Sequence, residues 1–387
     1  MVLSFSNIVQ YLINQLSWIS EDNPRGQNSI DDFFIRNDYS IQELKSVQGR
    51  NRCFAIVNLS DNRNYFLKQP KSFLTESIKS VVKESIVYDI IWKENNDLRS
   101  SLGECLPRMY DYNSDDIIII TSFLKDSDDF TDTILQANGI DGLIPFAKEV
   151  GTILNLFHKN LGDKKKLKLF NKHYPFFKDS PPMALLGINF SILEHQRRFR
   201  GDLSLYIEVI QQDSLWSKLV KTAINNWKKK SHETFVHGDF STSNILISSG
   251  YQQREIPIYF IDWELSSVGN YLYDLATLKY SLLCLADTNK NKKLDTPAYI
   301  QLYEAFIEGY KIPLTNDDKK SINTFIALHY LNYFITKKLY KKDLVDPTES
   351  VKIQNLIIQY FPQKQDDTLS LPPKNPEIDS KIEQIDS

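Results

Sequence analysis

The sequence predicts an α+β fold of two lobes, a small antiparallel sheet with one helix followed by a larger, mainly helical part. Two observations lead there. Residues 41–69 and 117–120 hold short apolar runs separated by polar turns, with one helical stretch over 74–93 between them. From Ile144 to Asn160 apolar residues recur at helical spacing and residues 275–361 look helical again, with a hairpin over 245–261 between them. A third observation locates the chemistry: Asp239, Asn244 and Asp262 stand at the mouth of that hairpin.

With 387 residues, 42% of them hydrophobic, the chain is long enough to bury two cores. Its 46 basic and 49 acidic residues leave a net charge of −3, which gives no bulk attraction to nucleic acid or to a membrane. Cys53, Cys105 and Cys284 are scattered and stand at no metal-ligand spacing, which suits the reduced thiols of a cytoplasmic protein. The N-terminus lacks a basic stretch followed by an uninterrupted apolar one, so it is a poor secretion signal. No apolar run approaches a bilayer span.

Residues 3–19 carry Leu3, Ile8, Leu12, Leu16 and Ile19 at helical spacing, an amphipathic helix expected to pack on its own domain. Ile41–Val47, Cys53–Leu59 and Tyr65–Lys68 are the expected strands. Gly49 sits in the polar turn between the first two, where backbone amides can drape over phosphates; an ordinary hairpin has the same pattern. Lys68 closes the third strand. On the helix over 74–93, Val81, Glu84, Tyr88 and Ile91 share one face. A glutamate inside an apolar stripe requires a cationic partner, and Lys68 is the natural one, with Glu76 as the alternative glutamate.

Asp115-Asp116 is expected to turn the chain into a buried strand, Ile117–Ile120, which runs on into Thr121-Ser122-Phe123-Leu124. The helix from Ile144 to Asn160 ends with His158, read as structural because it is distant in sequence from any base it could serve. Residues 161–234 are the least determined. Their basic clusters, among them Lys164–Lys166 and Lys228–Lys230, suit solvated helix faces. Residues 275–361 are expected to be helical, and 362–387, rich in Pro, Asp and Ser, to be a disordered tail.

The set at the hairpin suits phosphoryl transfer. One carboxylate orients or deprotonates the attacking hydroxyl, while Asn244 and Asp262 offer hard oxygen ligands to Mg2+ on nucleotide phosphates. Asp239 and Asn244 are separated by a small polar loop, Phe240-Ser241-Thr242-Ser243, and Asp262 ends the next strand.

The string His237-Gly238-Asp239 with Asn244, then Ile261-Asp262-Trp263-Glu264, then Tyr273-Asp274-Leu275-Ala276, resembles the aminoglycoside phosphotransferase and choline kinase-like family. The resemblance is strong over about 235–280, with weaker echoes from about 40 to 340. It implies a bilobal protein kinase-like fold and an ATP- or GTP-dependent kinase acting on a hydroxyl. It makes Asp239 the catalytic base, Asn244 and Asp262 the metal ligands, and His237 and Asp274 the supports of the catalytic loop. It makes Lys68 and Glu84 the nucleotide-site ion pair, puts Gly49 over the phosphates, and gives the main chain of Ser122, Phe123 and Leu124 to the adenine. Two departures bear on the substrate. Ser241-Thr242-Ser243 replaces a loop that usually carries His or Pro with Gly, and Gly269-Asn270-Tyr271 stands where Gly-Asp-Pro is usual.

The expected organisation is a helical extension over 1–36, a nucleotide-binding lobe over 37–124, a lobe with catalytic loop and acceptor site over 125–361, and the tail. The expected partners are a nucleotide and a hydroxyl-bearing small molecule, without nucleic acid or membrane. The alternative acceptor is a Ser or Thr hydroxyl of a ribosomally made precursor peptide. Only 11 residues separate Asp262 from Asp274, too few for the long activation segment of conventional protein kinases. A non-catalytic binding module is the third reading; it is disfavoured because Lys68, Asp239, Asn244 and Asp262 are all present.

Overall fold

The computed structural model describes residues 2–4, 6–16, 39–44, 51–58, 64–71, 75–94, 96–174, 177, 214–248, 258–288, 294–340 and 347–362. The turn that holds Gly49, the side chain of Glu76, the tip of the 245–261 hairpin and the C-terminal tail lie outside them. In chain order the elements begin with α1 (Ile8–Leu16), β1 (Tyr39–Leu44), β2 (Asn51–Asn58), β3 (Asn64–Pro70), α2 (Thr75–Asp89) and α3 (Asn96–Leu102). They continue with β4 (Met109–Asn113), β5 (Ile118–Ser122), β6 (Ser127–Asp129), α4 (Phe130–Gln136), α5 (Ile144–Leu161), α6 (Lys164–His173) and α7 (Ser214–Trp227). Then follow β7 (Glu233–Val236), β8 (Ile245–Ser248), β9 (Ile258–Phe260), β10 (Ser267–Asn270), α8 (Leu272–Thr288), α9 (Thr296–Tyr310), α10 (Asn316–Tyr340) and α11 (Pro347–Tyr360). The mixture is the expected one, an antiparallel sheet early in the chain and helices later.

The chain divides into two compact units. The first comprises Met1–Asn160, Thr242–Ser266 and Asn289–Tyr310; the second comprises Leu161–Ser241, Ser267–Thr288 and Lys311–Ser387. The first holds a five-stranded sheet in the order β1-β2-β3-β5-β4, antiparallel throughout. Side chains alternate across it, as the two-residue period of a strand requires. Phe54, Ile56, Tyr65, Leu67, Ile118 and Ile120 cover one face and form a single buried cluster with Leu3, Ile8, Tyr11 and Leu12. The N-terminal helix therefore packs on its own unit, as its amphipathic pattern implied. The Leu3 amide also donates to Gln69 Oε1 at 2.8 Å, and Arg52 Nη1 donates to the Leu3 carbonyl at 3.2 Å.

The opposite face carries the polar positions. The register sets Cys53 across from Lys68, and Lys68 across from Ile119. β4 has no counterpart in the sequence reading, because Met109 alone of its five residues is buried and the strand lacks an apolar run. Asn113 makes the β4–β5 turn by accepting the amides of Asp115 and Asp116 at 2.9 and 3.0 Å.

A smaller sheet of the same unit orders β6-β8-β9, so the hairpin read from the sequence is present with Ile245 paired to Phe260. Helices α5 and α9 meet backbone to backbone. A Cβ on Gly309 would lie 1.9 Å from the Lys148 carbonyl oxygen, and one on Gly151 2.1 Å from that of Phe306. Alanine is the better helix former by about 1 kcal/mol, but here the clash is with backbone, which can yield only if a helix moves. Gly309→Ala is therefore expected to destabilise by about 3 kcal/mol. That corresponds to a drop on the order of 10 °C in the thermal melting midpoint; an unchanged melt would show that the helices separate at little cost.

In the second unit β7 pairs with β10 as a two-stranded ladder, Val236 opposite Ser267, beside α7, α8, α10 and α11. Gly269 admits the Trp227 ring, whose nearest atom would be 2.0 Å from an added Cβ. Asn270 accepts the Leu272 amide at 2.9 Å and so caps α8, while its Nδ2 donates to the Asn226 carbonyl at 2.8 Å. The unusual Gly-Asn-Tyr run thus performs packing and capping. Among the described residues no helix is long and apolar enough to cross a membrane.

Candidate active site

Lys68 is the centre of the polar face in the first unit. Its Nζ donates to Glu84 Oε2 at 2.7 Å and to Asp262 Oδ1 at 2.5 Å, and lies 3.3 Å from Glu264 Oε2. Strand alternation turns Lys68 away from the α1 face. Helix periodicity turns Glu84 inward with Val81, Tyr88 and Ile91, all buried. The ion pair inferred from the order strand-Lys, helix-Glu is formed. Burial works against the Lys68 charge, but Asp262, Glu84 and Glu264 outweigh it and hold the ammonium well above its usual range. Burial likewise works against the Glu84 charge and raises its carboxyl, against the pull of Lys68. It pushes the facing Cys53 thiol up to about 12, so this cysteine is not a nucleophile near neutral pH.

Asp262 sits at the end of β9 in the left-handed region, with φ 63°. Aspartate tolerates this conformation better than most residues. The bend feeds a single 3₁₀ turn, Trp263–Leu265, closed by the Ser266 amide on the Trp263 carbonyl at 3.0 Å. Trp263 is buried against Phe157, with ring centroids 5.1 Å apart, and its indole donates to the Phe260 carbonyl at 3.1 Å. This apolar base leaves the Asp262 side chain about one-third exposed. Asn244 ends another 3₁₀ turn, Thr242–Asn244, and its carbonyl accepts the Ile261 amide at 3.1 Å, which binds the two segments side by side. The Thr242 hydroxyl meets that of Thr131 at 2.8 Å.

In the second unit a buried carboxylate holds a turn. Asp274, in the first turn of α8, accepts the His237 amide at 2.7 Å and the Gly238 amide at 2.9 Å, one on each oxygen. Gly238 takes φ 83°, which glycine adopts without steric penalty. The Asp239 amide contacts His237 Nδ1 at 3.3 Å, and the Asp239 carbonyl accepts the Ser241 amide at 2.8 Å. Asp239 itself is half-buried. These bonds fix the main chain on either side of its carboxylate.

Ser122 and Phe123 spend their amides on the carbonyls of Arg108 and Asn64, at 2.8 and 2.9 Å, and Leu124 follows. His158 is buried and its Nδ1 meets the Tyr310 hydroxyl at 2.7 Å, a structural role as expected. Two participants escaped the sequence reading. Glu264 is buried beside Lys68 and accepts Asn51 Nδ2 at 2.8 Å on the same oxygen. Glu264 closes the run Ile261–Glu264, but its direction depends on the left-handed bend at Asp262. Asn51 lies 213 residues away in sequence, and a lone Asn at the start of a strand carries no signal.

Residues 147–316 match the sequence model of the phosphotransferase enzyme family APH, a span that contains Asp239, Asn244, Asp262 and Asp274. No curated protein matches the chain. Among solved structures, the chain is similar to an ethanolamine kinase of Plasmodium vivax, at 14% identity and a TM-score of 0.55, over 92% of this chain and 89% of that one. It is also similar to an amicoumacin kinase solved with AMP-PNP, Ca2+ and Ami, at 12% identity and a TM-score of 0.51, over 83% and 87% of the two chains. The fold is therefore protein kinase-like. With the family match on the segment that bears the carboxylates, the chain is an enzyme of the kinase type, a phosphotransferase that resembles the aminoglycoside phosphotransferase and choline kinase-like family.

Proposed function

We propose that the chain moves the γ-phosphoryl group of ATP, or of GTP, to a hydroxyl of a small molecule, with Mg2+ on the nucleotide. The observation that carries this reading is the buried Lys68 ammonium among Glu84, Asp262 and Glu264. One cation facing three carboxylates leaves an excess of negative charge, which a metal ion offsets and a bare anion would not tolerate. Asn244 and Asp262 are the hard oxygen donors that suit Mg2+. A Mg2+ ion that arrives with phosphates keeps part of its water shell and needs few protein ligands. When bound, Mg2+ neutralises charge on the β- and γ-phosphates.

Lys68, released from Asp262, binds the α- and β-phosphates and is kept in place by Glu84. Gly49 and the main chain of Ser122–Leu124 complete the nucleotide site in this reading. Asp239 accepts a hydrogen bond from the acceptor hydroxyl. As the new oxygen–phosphorus bond forms and the bond to the β-phosphate oxygen breaks, the hydroxyl proton passes to the Asp239 carboxylate. His237 and Asp274 hold the loop through backbone amides. The similar amicoumacin kinase, with its AMP-PNP and Ca2+, supports pairing of a nucleotide with a divalent ion.

Lys68→Ala tests the site. Titration of Mg·ATP and Mg·GTP is expected to show affinity lowered at least about tenfold, the scale of one charge-assisted contact. Unchanged affinity and turnover would remove Lys68 from the site. Phosphorylation of a panel of small alcohols against Ser- and Thr-containing peptides settles the acceptor class, and a preference for peptides would replace the small-molecule reading.

A further inference from the structure

We infer that Asn51 and Glu264 form a positioning pair that holds β2 and the Lys68 strand against the Asp262 turn, and so sets the affinity for the metal–nucleotide. The inference rests on the proposed kinase reading. Glu264 Oε2 is a shared acceptor, taking Asn51 Nδ2 at 2.8 Å while Lys68 Nζ lies 3.3 Å away. Asn51 opens β2, and its register partner is Pro70, two residues beyond Lys68 on the adjacent strand. Strand alternation therefore puts Asn51, Cys53 and Lys68 on one face. A single carboxylate oxygen thus ties two neighbouring strands to the turn that starts at Asp262.

Other contacts show that this turn is the object being held. Lys83, buried and adjacent to Glu84 on α2, donates its Nζ to the Ser266 carbonyl at 3.0 Å. The segment 262–266 is thereby gripped by Lys68 at its first residue, by Asn51 and Lys68 at its third and by Lys83 at its fifth. When Lys68 and Asp262 part to take phosphates and metal, their mutual bond is lost. The Asn51–Glu264 bond involves neither the Lys68 ammonium nor Asp262, so it keeps the strands and the turn in register through that exchange. Asn51 is also buried, with its Oδ1 lacking a hydrogen-bond partner among the described residues. An apolar residue would fill the space without an orphaned acceptor, so the carboxamide is present for what its Nδ2 does.

The experiment measures Mg·nucleotide dissociation constants, the Mg2+ midpoint of turnover and the melting midpoint for Asn51→Ala, Glu264→Ala, their double variant and Glu264→Gln, with Lys68→Ala as the control. Asn51→Ala and Glu264→Ala are each expected to weaken nucleotide binding about tenfold. The double variant is expected to be no weaker than the worse single one, because one bond is removed either way. Glu264→Gln keeps an acceptor for Asn51 but removes one of the three carboxylate charges around Lys68, so nucleotide affinity is expected to fall less than in Glu264→Ala while the Mg2+ midpoint rises. If an alanine variant fails to fold, Glu264→Gln with and without Asn51→Ala gives the same comparison. Additive losses, unchanged affinity in the single variants, or a Glu264→Gln as impaired as Glu264→Ala would each overturn the positioning role. Should Lys68→Ala also leave nucleotide affinity unchanged, the kinase-site reading itself fails. Should Lys68→Ala weaken it while the Asn51 and Glu264 variants do not, the pair alone is refuted.

Discussion

Asp239→Asn is expected to lower turnover by roughly 10²–10⁴-fold, the range of a positioned general base, with nucleotide affinity nearly unchanged. Kinase-type phosphoryl transfer has a loose transition state, so the protein mainly orients the hydroxyl and balances charge. A carboxylate at 239 can do both; a carboxamide retains shape and loses charge and proton affinity. The surrounding contacts make the substitution interpretable. The turn is held by Asp274 on the His237 and Gly238 amides, and Asp239 contributes its own amide and carbonyl. Those main-chain bonds persist with asparagine. Turnover and nucleotide affinity measured on one purified preparation decide the matter. Near-normal turnover would defeat the catalytic role, while loss of nucleotide binding or of the folded state would assign Asp239 to the loop's architecture.

Asp262 gives the second large effect. Asp262→Ala is expected to abolish Mg2+-dependent turnover, because it removes a proposed metal oxygen and the anion that now holds Lys68 at 2.5 Å. Unfolding is the competing explanation, and magnitudes separate the two. Removing one partner of a buried pair is costly when the other charge is left alone, about 3–5 kcal/mol. Here Lys68 keeps Glu84 at 2.7 Å and Glu264 at 3.3 Å, so the ammonium stays compensated. The backbone is the other concern, since alanine at φ 63° costs about 1–2 kcal/mol. Asp262→Asn avoids most of that, because asparagine also tolerates the left-handed region. Both variants are expected to lose activity across a Mg2+ titration, with the melt of Asp262→Asn close to the parent. Full turnover in either would sink the metal assignment.

Elements whose signals are local, and chemistry whose residues are close in the chain, were legible before folding. The strands read at Cys53–Leu59 and Tyr65–Lys68 and the helical stripe of Val81, Glu84, Tyr88 and Ile91 were legible because each pattern follows from the geometry of one element. The pairing of Lys68 with Glu84 was legible too, because a buried glutamate admits few solutions. The run from His237 to Asp274 carried the phosphotransferase resemblance. Tertiary structure decided what depends on partners far away in sequence. β4 and the β7–β10 ladder exist because neighbouring strands supply hydrogen-bond partners, not because their own residues form apolar runs. The departure at Gly269-Asn270 became intelligible once Trp227 and the start of α8 were seen against it. Glu264 reached Lys68 and Asn51 only through the left-handed bend at Asp262, and no spacing rule carries a side chain's direction through such a bend. A carboxylate four residues past a strand is ordinary in sequence. It became a bridge because folding brought a residue 213 positions away within 2.8 Å of it, where burial makes every polar contact count.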